Sequence, residues 1–241
     1  MGFLSSLFKK TPEQKAEKLK KHIINMYGQP ADRQYYLYQT RDLGGELAAK
    51  TLLLRFSCTC ENSKVDSDEK QITQDLLVSI GEPAIEPVKQ FLRFNDKYFN
   101  WPYRTLSQLI PEEELNKFLI ELLDTIGPEY VRNPERKEQL MHICEGLKNE
   151  DIAKSLLPYL DDNNETIRFL AADAAIAHGY PFDITALSER LGKEDSQRIL
   201  VHILKAFKEN GWKIEQEHIE KAHSNVELPS EYHIKQDGSV Q

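Results

Sequence analysis

The feature that most constrains the fold is a helix pair that recurs along most of the chain. Between residues 45 and 211, apolar residues repeat at three- and four-residue spacing, and Gly, Pro, Asp and Asn interrupt them regularly. The first helix of each pair is predicted at 46–56, 84–94, 112–126, 151–160 and 184–191. The second is predicted at 68–80, 101–110, 134–147, 165–178 and 196–210. Five pairs at about 33 residues each are typical of an α-solenoid, so the predicted fold class is all-α.

The fourth pair carries enough detail to indicate a family. An apolar helix at 151–160 is followed by the turn Asp161-Asp162-Asn163-Asn164 and by a second helix that begins Glu165-Thr166-Ile167-Arg168 and contains Ala171-Ala172. This pair resembles a HEAT repeat of the phycobilisome-lyase HEAT-like group. Residues 80–88, Ile-Gly-Glu-Pro-Ala-Ile-Glu-Pro-Val, look like the usual entry into such a repeat. The resemblance implies a HEAT-like superhelix over 45–211. The whole chain also resembles a group of bacterial HEAT-repeat proteins, which implies no particular activity.

The same resemblance gives a role to one basic position in each second helix. Arg104, Arg168 and Arg198 occupy equivalent places near the start of their helices, and Lys137 stands where the third pair would have its arginine. In the family, this arginine supports the turn between helices through carboxylates and carbonyls. We therefore expect a structural role, with ligand binding as the alternative.

Four regions are predicted along the chain. Residues 1–10 form a basic and apolar N-terminal segment, 11–44 two capping helices, 45–211 the repeat array, and 212–241 a C-terminal extension. The first capping helix should begin with a capping box at Thr11-Pro12-Glu13-Gln14. In the extension, Asp237-Gly238 predicts a turn, either in a short hairpin or in a mobile end.

Charge is unevenly distributed. The chain carries a net charge of −8, but residues 1–22 hold six lysines against two glutamates, which leaves −12 for the remainder. At the N-terminus, Phe3, Leu4, Leu7 and Phe8 share one side of a helical turn and precede Lys9 and Lys10. This segment either docks on the rest of the protein or makes a weak peripheral contact with an anionic membrane. The lysines follow the apolar residues, so the pattern does not match a signal peptide.

Composition excludes several classes of protein. No apolar run reaches the roughly 18 residues of a membrane span. Three cysteines do not make a disulfide framework, which favours a cytoplasmic protein. An acidic body argues against a nucleic-acid partner, because binding to phosphates needs a basic surface. HEAT-like DNA glycosylases, which use a basic concave face, are therefore a distant alternative.

No group of residues stands out as catalytic. Cys58 and Cys60 lack a second pair at zinc-ligand spacing, and together with Cys144 they are interpreted as buried thiols. His142, His178 and His202 each fall in a second helix, but at offsets that do not align into one metal cluster. Phosphate loops, nucleophile elbows and His-Glu-x-x-His helices are absent from the sequence. We therefore predict no catalytic residue, no metal and no cofactor.

The remaining prediction is a binding function. An aromatic segment between the second pair's helices contains Tyr98, Phe99, Trp101, Tyr103 and Arg104, and Trp, Tyr and Arg dominate interface energetics. These five residues are the candidate partner contacts. As an alternative, Phe94, Phe99 and Trp101 fill the space between helices.

The sequence thus predicts a non-enzymatic scaffold or adaptor that holds a protein or peptide on one face of the solenoid, and the acidic body favours a basic partner. The first alternative is a lyase-type accessory protein for a covalently attached bilin, which the family resemblance implies. The second is a HEAT-like DNA-binding repair protein.

Overall fold

The computed structural model describes residues 10–241, and within that range the chain is helical from Pro12 to Ser224 apart from short connections. The α-helices are α1 Pro12–Ile23, α2 Pro30–Arg41, α3 Gly45–Leu53, α4 Ser63–Ile80, α5 Glu82–Phe94, α6 Asn100–Leu109, α7 Glu112–Ile126, α8 Glu135–Glu145, α9 Glu150–Leu156, α10 Glu165–His178, α11 Pro181–Leu191, α12 Gln197–Asn210 and α13 Gln216–Ser224. Single 3₁₀ turns, Leu54–Ser57 and Leu157–Asp161, extend α3 and α9. The all-α prediction is confirmed for the described residues. None of their helices has the length and apolarity to span a bilayer.

Side-chain caps fix where several helices begin. Thr11 and Gln14 form the predicted capping box, in which each side chain bonds the other's backbone N–H at 3.2 and 3.1 Å. Asn62, Asn149 and Asn164 accept hydrogen bonds from the first turns of α4, α9 and α10. Each such cap stabilises its helix by about 1 kcal/mol, because it satisfies N–H groups that have no partner within the helix.

Helix bounds agree best for α7 and α10. The observed α7 and α10 span the predicted 112–126 and 165–178. Helix α4 begins at Ser63, five residues before the predicted start, because Asn62 provides the cap. Helix α13 was not predicted, since only His218, Ile219 and Ala222 of its nine residues are buried.

Contacts between Cα atoms divide the chain into one unit up to Leu115 and another from Asn116 to Gln241. In the first unit, α1 packs on α3 and α3 on α5, while α2 packs on α4 and α4 on α6. Each helix therefore contacts the next but one, in two sets. Leu52, Leu77, Val88 and Leu106, which come from four different helices, are fully buried in this unit.

The second unit repeats this order of contacts. Helices α8, α10 and α12 pack in succession, as do α9, α11 and α13. Along α10, Ala171, Ala172, Ala174 and Ala175 are all buried, as expected where small side chains let neighbouring helices approach closely.

After α13 the chain folds back on the residues that precede that helix. Isolated antiparallel bridges join Lys213 to Ser239 and Ile234 to Val240. The Gly238 carbonyl accepts a hydrogen bond from Ile214 N–H at 2.8 Å, and Gly238 has φ +79°. A Cβ at this position would lie 2.1 Å from the Ile214 carbonyl oxygen, so the contact requires glycine.

A buried ionic cluster joins α2, α4 and the 3₁₀ turn of the first unit. Glu69, which is fully buried, accepts hydrogen bonds from Arg33 Nε at 3.0 Å and Arg55 Nε at 2.9 Å. Arg55 Nη2 also donates to Asp66 at 2.8 Å, and Lys70 Nζ lies 2.7 Å from the other Asp66 oxygen. A carboxylate buried between two guanidinium groups links three segments that are distant in sequence.

We predict that Glu69→Ala lowers the free energy of unfolding by about 3–5 kcal/mol, because it leaves two buried guanidinium groups without their shared carboxylate. Urea unfolding followed by circular dichroism measures the change. The matched control is Glu46→Ala, whose side chain is 56% exposed and pairs with Lys50 on the surface. It should cost no more than about 0.5 kcal/mol. Equal effects of the two substitutions would contradict a structural role for the cluster.

Candidate functional site

The candidate partner contacts lie at the connection between α5 and α6. Asn95 follows the end of α5 at Phe94, and its side-chain oxygen accepts hydrogen bonds from the N–H groups of Lys97 at 3.1 Å and Tyr98 at 2.9 Å. This Asx turn reverses the chain within a few residues, so that α6 packs against α5. The aromatic segment is therefore a short, hydrogen-bonded connection.

The structure separates the five predicted contact residues by burial. Phe99 is 1% exposed and belongs to the core, so it is not available to a partner. Trp101 is partly buried and stacks on Phe56, with ring centroids 6.3 Å apart and an interplanar angle of 14°. Tyr98 and Tyr103 are also partly buried. The gap-filling interpretation thus fits Phe99 and, in part, Trp101.

Arg104 is the exposed member of this group, and it lies against the partly buried Trp101. The Arg104 guanidinium lies over the indole ring, 4.7 Å from its centroid, and Arg104 itself is exposed. They are three positions apart on the helix, which places both side chains on the same face. The pair offers an aromatic surface and a cation together on α6, the combination that binding hot spots favour.

Phe94, at the end of α5, is an exposed aromatic residue that is not among the five predicted contacts. Its side chain is 81% exposed, although the gap-filling interpretation placed it between helices. The signal is present in the sequence: the buried residues of α5 are Ala84, Pro87, Val88 and Leu92, a stripe at three- and four-residue spacing. Phe94 follows Leu92 by two residues, about 200° around the helix, and so falls on the opposite side. We define the aromatic surface as Phe94, Trp101 and Arg104.

The repeat-equivalent basic residues do not share one role. Arg168 is mostly buried and bonds Glu194 at 2.9 Å and the Asp162 carbonyl at 3.1 Å, as expected of a turn-supporting arginine. Arg104 and Arg198 are instead exposed and lie over the rings of Trp101 and Phe169. Arg198 also pairs with the Glu165 carboxylate at 3.6 Å, but both side chains are at least 40% exposed, unlike the buried contacts of Arg168.

Lys137 takes the turn-supporting position in its own pair. Its Nζ, which is almost fully buried, donates hydrogen bonds to the Asp162 carboxylate and to the Glu129 carbonyl, both at 2.6 Å. The sequence departure at 137 therefore preserves the contact to a carboxylate and a carbonyl.

The cysteines lie in surroundings that favour the neutral thiol. Burial is the largest influence on all three and raises the pKa of Cys58 and Cys60, and that of Cys144 to about 12. Cys60 and Cys144 are buried as predicted, whereas Cys58 is partly exposed. Because the thiolate is the reactive form, these environments do not activate a nucleophile.

The three histidines of the repeat helices contact different groups. His202 Nε2 lies 2.8 Å from Asp173, His178 Nε2 lies 3.2 Å from the Cys144 carbonyl, and His142 is mostly exposed near Glu145. They do not converge on a common point, in keeping with their sequence offsets.

A cleft of about 440 Å³ in the first unit opens beside the buried ionic cluster, next to Met26, Tyr27, Arg33, Cys60 and Asn62. Its one arginine is already committed. Arg33 bonds Glu69 and the carbonyls of Asn25, Met26 and Gly28. The guanidinium in this cleft therefore holds the chain together rather than facing a ligand.

The N-terminal candidates Phe3, Leu4, Leu7, Phe8 and Lys9 lie outside the described residues. Lys10 is exposed and, with Lys15 and Lys18, lines a cleft of about 370 Å³ beside Asp42 on α1 and α2. Basic side chains are therefore present where the N-terminal segment joins the first helix.

Comparisons with known proteins give no relative from which a function can be transferred. No family model matches the chain, and neither the curated proteins nor the solved structures include a significant match.

The role of Glu194 in supporting the turn can be tested through the dependence of stability on pH. Burial alone would raise its pKa, but hydrogen bonds from Arg168, Arg190 and the Ser196 N–H lower the pKa from 4.5 to about 2. Its stabilising effect is therefore complete above pH 5 and is lost as the pH falls towards 2. From pH 7 to pH 3 the free energy of unfolding falls in the parent protein. We predict that in Glu194→Gln this fall is smaller by about 2 kcal/mol.

Urea unfolding at the two pH values measures this difference. Glu189→Gln is the matched control, because Glu189 is 53% exposed and pairs with Lys193 on the surface. It should show the same dependence on pH as the parent protein. Parallel behaviour of all three proteins would show that Glu194 does not contribute to acid sensitivity.

Proposed function

We propose that this chain is a HEAT-like α-solenoid protein, with about five helix pairs over residues 45–211, that acts as a non-enzymatic scaffold or adaptor for a protein or peptide. The pattern of helix contacts within each unit supports the architecture. In stacked helix pairs, each helix is expected to pack on the next but one, which gives two sets of helices, as found in both units. The sequence of the fourth pair supports the family assignment.

The observation that carries the binding function is the aromatic surface. A phenylalanine that is 81% exposed does not add to the core, and its removal from water by a partner would contribute about 2 kcal/mol. The Trp101–Arg104 pair adds a flat, partly preordered contact on the neighbouring helix. Residues of these types, held on helices rather than on a free loop, suit partner recognition with a low cost in side-chain ordering.

Three of the buried ionisable groups support a binding role over an enzymatic one. Glu69, Glu194 and Lys137 are buried, and each is bonded to groups that hold chain turns in place. Where a catalytic site would present an unpaired group of shifted pKa in a cleft, these groups are saturated by structural partners.

Charge suggests the partner's chemistry. Residues 23–241 carry −12, which at long range favours a basic protein or peptide and disfavours nucleic acid. At the aromatic surface, Arg104 would contact an aromatic or acidic group of that partner. We place the protein in the cytoplasm, where its three free cysteines would remain reduced. Residues 1–10 would supply a peripheral contact with a membrane or with a partner.

We predict that Phe94→Ser and Arg104→Gln each reduce recovery of the bound partner by about tenfold, without unfolding the protein, because both side chains are exposed. Affinity capture with full-length protein, quantified by mass spectrometry, measures recovery. Tyr130→Ser is the matched control, since Tyr130 is 75% exposed in the other unit. A protein retained by the parent and by Tyr130→Ser, but lost from the other two, supports the assignment.

Other outcomes would assign binding to another part of the chain or favour another function. Equal recovery by all four proteins would remove the aromatic surface from the binding site. Loss of recovery only on deletion of residues 1–10 would transfer binding to the N-terminal segment. Coloured protein after co-expression with a bilin pathway would favour the lyase-type alternative, and a gel shift with duplex DNA at moderate salt would favour the repair alternative.

A further inference from the structure

Three ligand-type side chains meet at the start of α13, in the unit that follows Asn116. His218 Nε2 lies 3.4 Å from a Glu217 oxygen and 3.9 Å from a Glu215 oxygen, and one ligand atom from each residue lies within 4.8 Å of the other two. Donors bound to one zinc ion at 2.0–2.2 Å in a tetrahedral arrangement are separated by about 3.4 Å. The spacing is thus close to that of a metal site, with a small movement needed at Glu215.

His218 has an environment that a surface ion pair does not explain. Its side chain is 9% exposed, and Nδ1 is buried without a hydrogen-bond partner. Nε2, on the other side of the ring, is directed at the two carboxylates. Leaving a buried polar group unsatisfied costs about 1–3 kcal/mol, so an apolar residue here would be more stabilising. The ring is nevertheless held with Nε2 facing two oxygen ligands.

The surrounding residues hold one carboxylate in place and leave the cluster free of competing cations. Thr185 Oγ1, on α11, donates a hydrogen bond to the other Glu215 oxygen at 2.5 Å. Lys213, two residues before Glu215, pairs with Asp237 at 2.8 Å. Within residues 10–241, neither Glu215 nor Glu217 pairs with a lysine or an arginine. Support of a ligating carboxylate by a neighbouring hydroxyl is typical of metal sites.

We propose that Glu215, Glu217 and His218 bind one divalent transition-metal ion of the zinc type, with water completing its coordination. An imidazole nitrogen with two carboxylates suits Zn²⁺, whereas Mg²⁺ and Ca²⁺ prefer oxygen ligands alone. The ion would neutralise the two adjacent carboxylates. Through Glu215 and Thr185 it would also fasten the first turn of α13 to α11, a structural effect independent of the aromatic surface.

Zinc titration of untagged full-length protein against a chromophoric zinc indicator tests the site. We expect one ion per chain for the parent protein, no binding at this site by His218→Gln, and binding weakened by about tenfold to 100-fold in Glu217→Gln. Thr185→Val, which removes only the supporting hydroxyl, should weaken binding by about tenfold. In ¹H–¹⁵N spectra that detect imidazole nitrogens, zinc should shift Nε2 of His218 in the parent protein.

Two comparisons keep the outcome decisive. Glu220→Gln removes a carboxylate from the exposed side of the same helix and should bind zinc as the parent does. Glu217 is 75% exposed, so its variant reports on the metal even if His218→Gln fails to fold. Two results would overturn the proposal. One is equal zinc affinity in the parent, Glu217→Gln and Glu220→Gln, and the other is no binding by the parent protein when zinc is present at 100 times the protein concentration.

Discussion

A buried carboxylate shared between two arginines is the interaction on which both units depend. Glu69 joins Arg33 and Arg55 in the first unit, and in the second Glu194 accepts hydrogen bonds from Arg168 at 2.9 Å and Arg190 at 2.6 Å. Such a charge is tolerable in the interior only when every partner is present. Each carboxylate therefore fixes the helix connections around it, and the apolar faces of the helices pack on that frame.

How far the sequence predicts this fold depends on where its signals coincide. The capping box at Thr11 and the limits of α7 and α10 follow from local chemistry that acts within a few residues, and there the predictions are right. The predicted start of α4 is too late, because Asp66 resembles a solvated residue, yet ion pairs with Arg55 and Lys70 bury it. Burial of a charge depends on partners that are distant in sequence, which periodicity does not report.

The same limit explains the outcome at the candidate site. Arg104 and Arg168 are equivalent by sequence, but only Arg168 has a buried carboxylate to meet, and that carboxylate is 26 residues away. Arg104 has an indole beside it on its own helix and stays at the surface. Phe94 and Phe99 differ for a simpler reason: Phe94 falls off the apolar stripe of α5, whereas Phe99 closes the turn and is buried. The apolar period of α5 is enough to predict that Phe94 is exposed, whereas its aromatic character alone suggests a core position.

The buried charges of the helix connections and the buried His218 differ in how fully they are hydrogen-bonded. The charged groups of Arg33, Glu69 and Lys137 are hydrogen-bonded to other segments of the chain, so they stabilise the fold. His218 is buried to a similar degree, but its Nδ1 has no hydrogen-bond partner within the described residues, and its Nε2 faces Glu217 and Glu215. A sequence optimised for stability alone would replace such a group, since filling the position with an apolar side chain removes the desolvation cost. The Nε2 atom of this imidazole faces the oxygens of Glu215 and Glu217, and a metal ion between the three would bond to all of them at once.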